Sequence, residues 1–308
     1  MSSLNYGGQA VIEGVMMRGA QQWAVSVRAP DGRIVQHQEP LPAGYRNRWL
    51  QLPLLRGLVS LWDALGLGTR ALLWSSNIAE GQEDQAQMSG AAAWGTVAAS
   101  LALGIGVFFL LPMALTSLTD RWLSSSLASN LLEGALRLVI FVVYLLAMGL
   151  MPEIRRVFAY HGAEHKTINA YEAGAELTPE AVAAFSRQHV RCGTGFMLIV
   201  LIIFVLVSSL LGRPSLLVRL ASRVVLIPLV SGIAYEVIKF SARHYETSRT
   251  VRWLLAPSLA LQRLTTREPD AGMLEVAIAS LQVVLRSEGL AAAETVESAE
   301  TVLPVARS

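Results

Sequence analysis

Two of the five histidines in this chain lie four residues apart with a carboxylate between them, in the stretch His161-Gly162-Ala163-Glu164-His165. On a helix, residues three or four positions apart are surface neighbours, so His161, Glu164 and His165 would share one face. Two imidazoles and a carboxylate suit a divalent metal such as zinc. The order H-x-x-E-H also occurs in inverted zinc peptidases. We therefore predict that His161 and His165 bind a metal and that Glu164 is a general base.

Other residues with suitable chemistry occur further along the chain. His189 and Cys192 are separated by three positions, the spacing of a metal-binding or nucleophilic pair, with Arg191 between them as a candidate ligand for an anionic group. Glu236 lies inside an apolar run, where a carboxylate is costly and suggests a functional role. We predict His189 and Glu236 as further metal ligands. Glu172, Cys192 and Arg191 are secondary candidates.

Each of these residues also has a simpler interpretation. The histidine pair could be a polar helix end at the lipid headgroups, and Glu164 could pair with a nearby Lys or Arg. Cys192 could be a small apolar residue at the start of a span. Glu236 could form an ion pair with Lys239 near the membrane surface. These alternatives remain open from the sequence.

The composition is that of a membrane protein. Hydrophobic residues make up 53% of the 308 residues and charged residues only 16%, whereas soluble domains are about one quarter charged. The net charge is +2, and Lys and Arg form no dense run. The sequence therefore argues against nucleic acid as a partner and for the lipid bilayer.

Four segments are long and apolar enough to cross a bilayer, which needs about 20 apolar residues. They are residues 91–111, 131–151, 193–211 and 216–238. An even number of spans places both termini on one side. With that side and the 152–192 loop assigned to the cytoplasm, it holds most of the 25 Lys and Arg residues, as the positive-inside rule requires. All candidate ligands then lie at the cytoplasmic face of the inner membrane.

The remaining segments define the domain organisation. Residues 1–47 form a β-rich unit, in which 23–27 and 33–37 read as two strands joined by the turn Pro30-Asp31-Gly32. Residues 48–90 comprise a helix and a linker, and the helix either lies on the membrane, packs on the bundle or spans the bilayer. Residues 91–238 form the four-span domain. Residues 239–290 are a cytoplasmic helical segment, with Asp270 as the N-cap of a helix over 273–285, and 291–308 are a disordered tail.

Four runs of residues resemble one bacterial family: GGQAVIEGVMMRG at 7–19, YHGAEHK at 160–166, RCGT at 191–194 and LTTREP at 264–269. They resemble the DUF1385 (YqhQ-like) membrane proteins, and the similarity extends over nearly the whole chain. The resemblance implies an integral membrane protein of a family often labelled a predicted metal-dependent enzyme. Family members often read His-Pro-Arg-Cys where this chain has Val190, a difference that loosens the turn but keeps the candidate ligands.

The expected protein is thus mainly α-helical, with about four transmembrane helices and a small β-rich N-terminal cytoplasmic unit. Our first hypothesis is a membrane-embedded metal-dependent hydrolase, with zinc as the cofactor and a lipid headgroup or membrane peptide as substrate. The alternative is a non-enzymatic docking or assembly factor for another membrane protein complex. In that case Glu164→Gln would leave function intact, whereas deletion of residues 1–46 would abolish it. A transporter is less favoured, because the spans show no obvious internal repeat.

Overall fold

The computed structural model describes residues 6–41, 52–82, 91–119, 122–123, 125–210 and 216–290. Most of this part of the chain is helical, with one small sheet at the N-terminus. The predicted linker at 83–90 and the predicted disordered tail at 291–308 lie outside the described residues. The strands are β1 (Gly7–Val11), β2 (Gly14–Arg18), β3 (Gln22–Arg28) and β4 (Ile34–Pro40).

The helices follow in chain order, and a π-helical turn, Gly106–Leu110, separates the second from the third. They are α1 (Leu55–Ala79), α2 (Ala91–Ile105), α3 (Leu111–Thr119), α4 (Ser126–Met148), α5 (Pro152–Glu172), α6 (Pro179–Ala183), α7 (Gly193–Leu210), α8 (Leu216–His244), α9 (Arg249–Thr265) and α10 (Ala271–Ser287).

The four strands form an antiparallel sheet in the order β1-β2-β3-β4. The predicted hairpin is confirmed as β3 and β4, which pair across the expected turn, where Gly32 has φ +90°. The β1–β2 hairpin was not predicted as such, because its turn contains Glu13 in the left-handed region, at φ 51°. A glutamate there gives no turn signal in the sequence.

The sheet lies between helices on both faces. On one face, strand residues such as Val11 and Val25 pack against Trp74 and neighbouring residues of α1. On the other face, Val15 and Met17 share a core with residues of α5 and α10, including Ala163 and Leu281. The sheet therefore fixes α5, the helix that carries the H-x-x-E-H stretch, from one side.

Helix α10 begins as the sequence predicts. The Asp270 carboxylate accepts a hydrogen bond from the N–H of Met273 at 2.8 Å, which is the expected N-cap.

Helix α1 contacts two different parts of the protein. Its C-terminal half packs on the sheet, and Gly57 in its first half lies against Gly232 and Tyr235 of α8.

Among the described residues, three helices are long and apolar enough to cross a membrane: Gly95–Thr119, Ser126–Met148 and Gly193–Leu210. They correspond to the first three predicted spans. The first is longer than expected, because the helix does not end at Pro112. A π-helical turn precedes this proline, and α3 continues after it to Thr119. The fourth predicted span lies within α8. Because some side chains of α8 lie outside the described part of the chain, this span stays a prediction.

An ion pair is buried among these apolar helices. In α4, Arg137 donates to Glu133 at 2.7 Å and to the carbonyl oxygen of Phe108 in the π-helical turn at 2.8 Å. The guanidinium also lies over the rings of Phe109 and Phe204, at 5.3 and 5.0 Å from their centroids. One side chain thus joins α4 to the π-helical turn and to α7.

Candidate metal site

The H-x-x-E-H stretch lies in the middle of α5, as its spacing predicts. The helix starts with Pro152 at its first position, where proline is well tolerated, and continues for 21 residues. Glu13, in the β1–β2 turn, binds Arg156 of α5 through two hydrogen bonds of 2.6 and 2.5 Å. This pairing of a planar guanidinium with a carboxylate sets the orientation of the sheet on the helix.

Three potential ligands converge beside α5. One potential ligand atom from each of His161, His165 and Cys192 lies within 4.8 Å of the other two. The thiol sulfur of Cys192 is 3.3 Å from Nε2 of His161, and the two imidazole centroids are 4.4 Å apart. Cys192 immediately precedes α7, so its contact with His161 brings the chain at the start of that helix to the histidine pair. This His/His/Cys group could hold a metal ion.

Both histidines are oriented by backbone carbonyl groups. Nδ1 of His161 lies 2.9 Å from the oxygen of Thr265, and Nδ1 of His165 lies 2.7 Å from the oxygen of Arg187. A carbonyl oxygen only accepts, so each Nδ1 carries the proton and each Nε2 is left for another partner. Hydrogen bonds of this kind fix the tautomer and orientation of metal-binding histidines in known sites.

The electrostatics of the group favour a thiolate. Burial alone would lower the pKa of His161, but the hydrogen bond and charge of Cys192 raise it to about 9. Burial alone would raise the pKa of the Cys192 thiol, but hydrogen bonds from His161 and His165 hold it well below its ordinary value. The thiolate is the form of cysteine that binds metals and attacks electrophiles.

Glu164 lies beside this group with one oxygen unused. Its side chain is only 5% exposed, and its Oε2 has no hydrogen-bond partner among the described residues. Gly8 of β1 packs against this side chain, so closely that a Cβ on residue 8 would lie 2.9 Å from Cγ of Glu164. Burial raises the pKa of Glu164, against the opposing effect of the nearby histidines. A buried carboxylate oxygen without a partner is unusual and marks a position where a ligand or a proton can be bound.

His189, Arg191 and Glu172 form a neighbouring polar cluster. His189 is not in the His/His/Cys group: its ring centroid is 5.8 Å from that of His165, and its Nε2 lies 3.4 Å from Glu172. Arg191 also pairs with Glu172. Burial would raise the pKa of Glu172, but His189 and Arg191 hold it below its ordinary value. In the structure, His189 and Arg191 are therefore both partners of Glu172.

Glu236 is bound elsewhere. Its carboxylate accepts from Arg56 of α1, with an Nε–Oε1 distance of 2.6 Å, and from the N–H of Leu54 at 3.3 Å. It is absent from the group of potential ligands found among the described residues. The sequence suggested Lys239 as its simpler partner, and could not reveal Arg56, which lies 180 residues away.

Three residues that sequence reasoning did not select support the site. They are Gly8, Thr265 and Gln262. The buried side chain of Gln262 binds the backbone of His189 by two hydrogen bonds of 2.9 Å: its Oε1 accepts from the His189 N–H, and its Nε2 donates to the His189 carbonyl oxygen. This clamp fixes the loop that ends at Cys192. A contact made through the backbone leaves no pattern in the sequence. The available signal for these residues was therefore their position: Gly8 lies in the GGQAV run, Thr265 in the LTTREP run, and Gln262 just before the latter.

The fold and the site together define a mostly helical protein with helices apolar enough to cross a membrane, and with a His/His/Cys group beside a helix that packs on a four-stranded sheet. The chain belongs to the family described as "Protein of unknown function (DUF1385)", whose model matches residues 52–287. It is 35% identical to the "Uncharacterized protein YqhQ" of Bacillus subtilis (strain 168) over 298 residues, which cover 92% of this chain and 93% of that protein. No solved structure matches the chain.

Proposed function

We propose that this protein is a membrane-embedded metalloprotein that binds one divalent metal ion through His161, His165 and Cys192. The observation that carries the proposal is the convergence of three ligand atoms within 4.8 Å, two of them on imidazoles already oriented by carbonyl groups. This set replaces the earlier choice of His189 and Glu236 as ligands, because those side chains are held by Glu172 and Arg56.

The donor set fits zinc. Two imidazole nitrogens and one thiolate leave a fourth position open in a tetrahedral site, as in catalytic zinc proteins. Bound there, the metal would supply Lewis-acid chemistry, polarising a carbonyl or phosphoryl oxygen. The chain supplies the general base: Glu164 is buried next to the group and keeps one oxygen free to take a proton from water. We therefore propose a hydrolase.

The surroundings of the site suggest where the substrate comes from. Cys192 directly precedes α7, a helix apolar enough to cross a membrane, so the site would lie near one membrane surface. The charge distribution favours the cytoplasmic face, with both termini on the same side and four spans in total. A lipid headgroup and a membrane-proximal peptide are the substrates accessible from that position.

Metal content tests the proposal directly. We expect the protein purified in detergent to contain about one zinc per chain, and His161→Ala, His165→Ala and Cys192→Ala each to lose it, because removing a ligand from a three-ligand site leaves too few donors. Glu236→Gln is the control and should keep the ion. Elemental analysis by mass spectrometry provides the measurement. A metal-free wild type, or a Cys192→Ala variant with full metal content, would refute the assignment.

A second candidate function uses the same residues without metal. The 3.3 Å contact between the Cys192 sulfur and His161 Nε2 is that of a thiolate–imidazolium pair, as in cysteine nucleophiles. Because the pKa of Cys192 is lowered, the thiol of metal-free protein should react with iodoacetamide even at pH 6. His161→Asn should raise that pKa and slow labelling at pH 6 more than at pH 9, as peptide mass spectrometry can follow. Equal slowing at both pH values would argue against the pair.

A further inference from the structure

Strand β1 forms the edge of the sheet next to the candidate site. It pairs with β2 on one side, and no strand pairs with its other side among the described residues. Gly7 is exposed, and Gly8 and Ala10 are half-buried. An edge strand presents backbone N–H and C=O groups that an additional strand can bind.

The register identifies which backbone groups face outwards. β1 and β2 are joined by a two-residue turn, so the flanking pair Val11 and Gly14 is hydrogen-bonded and the pairing alternates from there. Gly8 and Ala10 then direct their N–H and C=O groups away from β2.

Glu164 brings the outer edge of β1 to the candidate metal site. A Cβ on residue 8 would lie 2.9 Å from Cγ of Glu164 and 2.7 Å from the carbonyl oxygen of Met16, so only glycine allows the strand to approach so closely. The Oε2 of the same Glu164 side chain is buried and has no hydrogen-bond partner among the described residues. The edge therefore offers the Gly8 carbonyl and the Ala10 N–H and C=O to a ligand that also reaches Glu164.

We propose that the outer edge of β1 binds the substrate as an extended peptide, which pairs with Gly8 and Ala10 and so places one of its peptide bonds beside Glu164 and the His/His/Cys group. This inference rests on the proposed hydrolase function and names its substrate class. Strand addition of this kind derives its affinity from main-chain hydrogen bonds and tolerates varied side chains. The small residues Gly7 and Gly8 keep the approach open.

The reaction would be hydrolysis of an amide. Water attacks the carbonyl carbon while the free oxygen of Glu164 takes a proton from it. The C–N bond then breaks, and Glu164 passes the proton to the leaving nitrogen. The products are a carboxylic acid and an amine, and water is the only co-reactant.

Ala10→Pro tests the proposed pairing. Proline removes the outward N–H of residue 10 but no hydrogen bond to β2, and edge strands tolerate proline at such positions. Ala10→Val is the control, because it adds similar bulk and keeps the N–H. The probe is a mixed-sequence library of N-acetylated, C-amidated nonapeptides, offered to the full-length protein in detergent. Mass spectrometry detects cleavage, and hydrogen exchange detects protection of the β1 amides by bound peptide.

We expect the wild type to cleave peptides and to gain protection in β1, and Ala10→Val, which keeps the N–H, to retain more of both than Ala10→Pro. Ala10→Pro should cleave about tenfold more slowly with unchanged metal content, the effect of one lost hydrogen bond. Equal rates for Ala10→Pro and Ala10→Val would overturn the inference, as would metal-loaded protein that neither cleaves nor binds peptides. If peptide protects the β1 amides from exchange in protein that never binds metal, the peptide-binding site would stand but the proposed hydrolase function would be wrong. If the protein hydrolyses phospholipid vesicles but no peptide, the proposed peptide substrate would be wrong.

Discussion

Gly162→Ala is expected to abolish metal binding and to lower the melting temperature, although residue 162 is not itself a ligand. A Cβ at this position would overlap the carbonyl oxygen of Arg267, whose N–H is bound to Phe158 at 2.8 Å. The alanine must push the segment away from α5, and this segment includes the Thr265 carbonyl that orients His161. Overpacking of this kind costs about 1–3 kcal/mol.

Gly66→Ala is the matched control for this prediction. Gly66 is also a helix-interior glycine, but its Cβ would meet nothing within 4 Å. Because alanine favours helices over glycine by about 1 kcal/mol, the control should be as stable as the wild type or more so. Metal content and thermal unfolding should be measured on both variants. Full metal content in Gly162→Ala would show that Thr265 does not hold His161.

Arg137→Met should destabilise the apolar helices strongly. The substitution leaves the carboxylate of Glu133, only 1% exposed, without the guanidinium that now binds it. It also removes the donor to the Phe108 carbonyl in the π-helical turn. Breaking a buried ion pair by removing one partner costs about 3–5 kcal/mol. Thermal unfolding in detergent should therefore show a large decrease in melting temperature.

The double variant Glu133→Leu/Arg137→Met separates the ion pair from packing. Because no carboxylate is then left unpaired, it should recover much of the stability that Arg137→Met loses. The metal content of both variants should equal that of the wild type in the fraction that remains folded. A double variant as unstable as Arg137→Met would show that the contact with Phe108 is the main contribution.

Local sequence signals predicted the parts of the fold that depend on nearby residues. The β3–β4 hairpin follows from alternation around Pro30-Asp31-Gly32, and the start of α10 follows from Asp270. Hydrophobic length predicted three of the apolar helices. Prediction was wrong about the end of the first, since Pro112 should stop an ordinary helix but lies just after a π-helical turn, which changes the local hydrogen bonding.

The candidate site was predictable only in part. The spacing within α5 identified His161, Glu164 and His165, because helical geometry acts between near neighbours. Cys192 was ranked below His189 because a cysteine at the start of a span is often only a small apolar residue. Both side chains contact α5, His189 at Glu172 and Cys192 at His161, and their spacing in the sequence could not show which of them joins the histidine pair. Glu236 was chosen for its apolar surroundings, and its partner Arg56 comes from a distant helix.

The participation of Gly8 and Thr265 in one site has a consequence for biosynthesis. The first of these residues is translated roughly 10 to 50 s before the second, at about 5–20 residues per second. During that interval β1 and β2 lack α10, and Glu164 and the histidines lack the carbonyl that orients one of them. Under the proposed function, a nascent chain would therefore acquire the metal only when synthesis is nearly complete, and such non-local assembly is intrinsically slow. Metal loading would then be a late step, open only to chains that already contain Thr265.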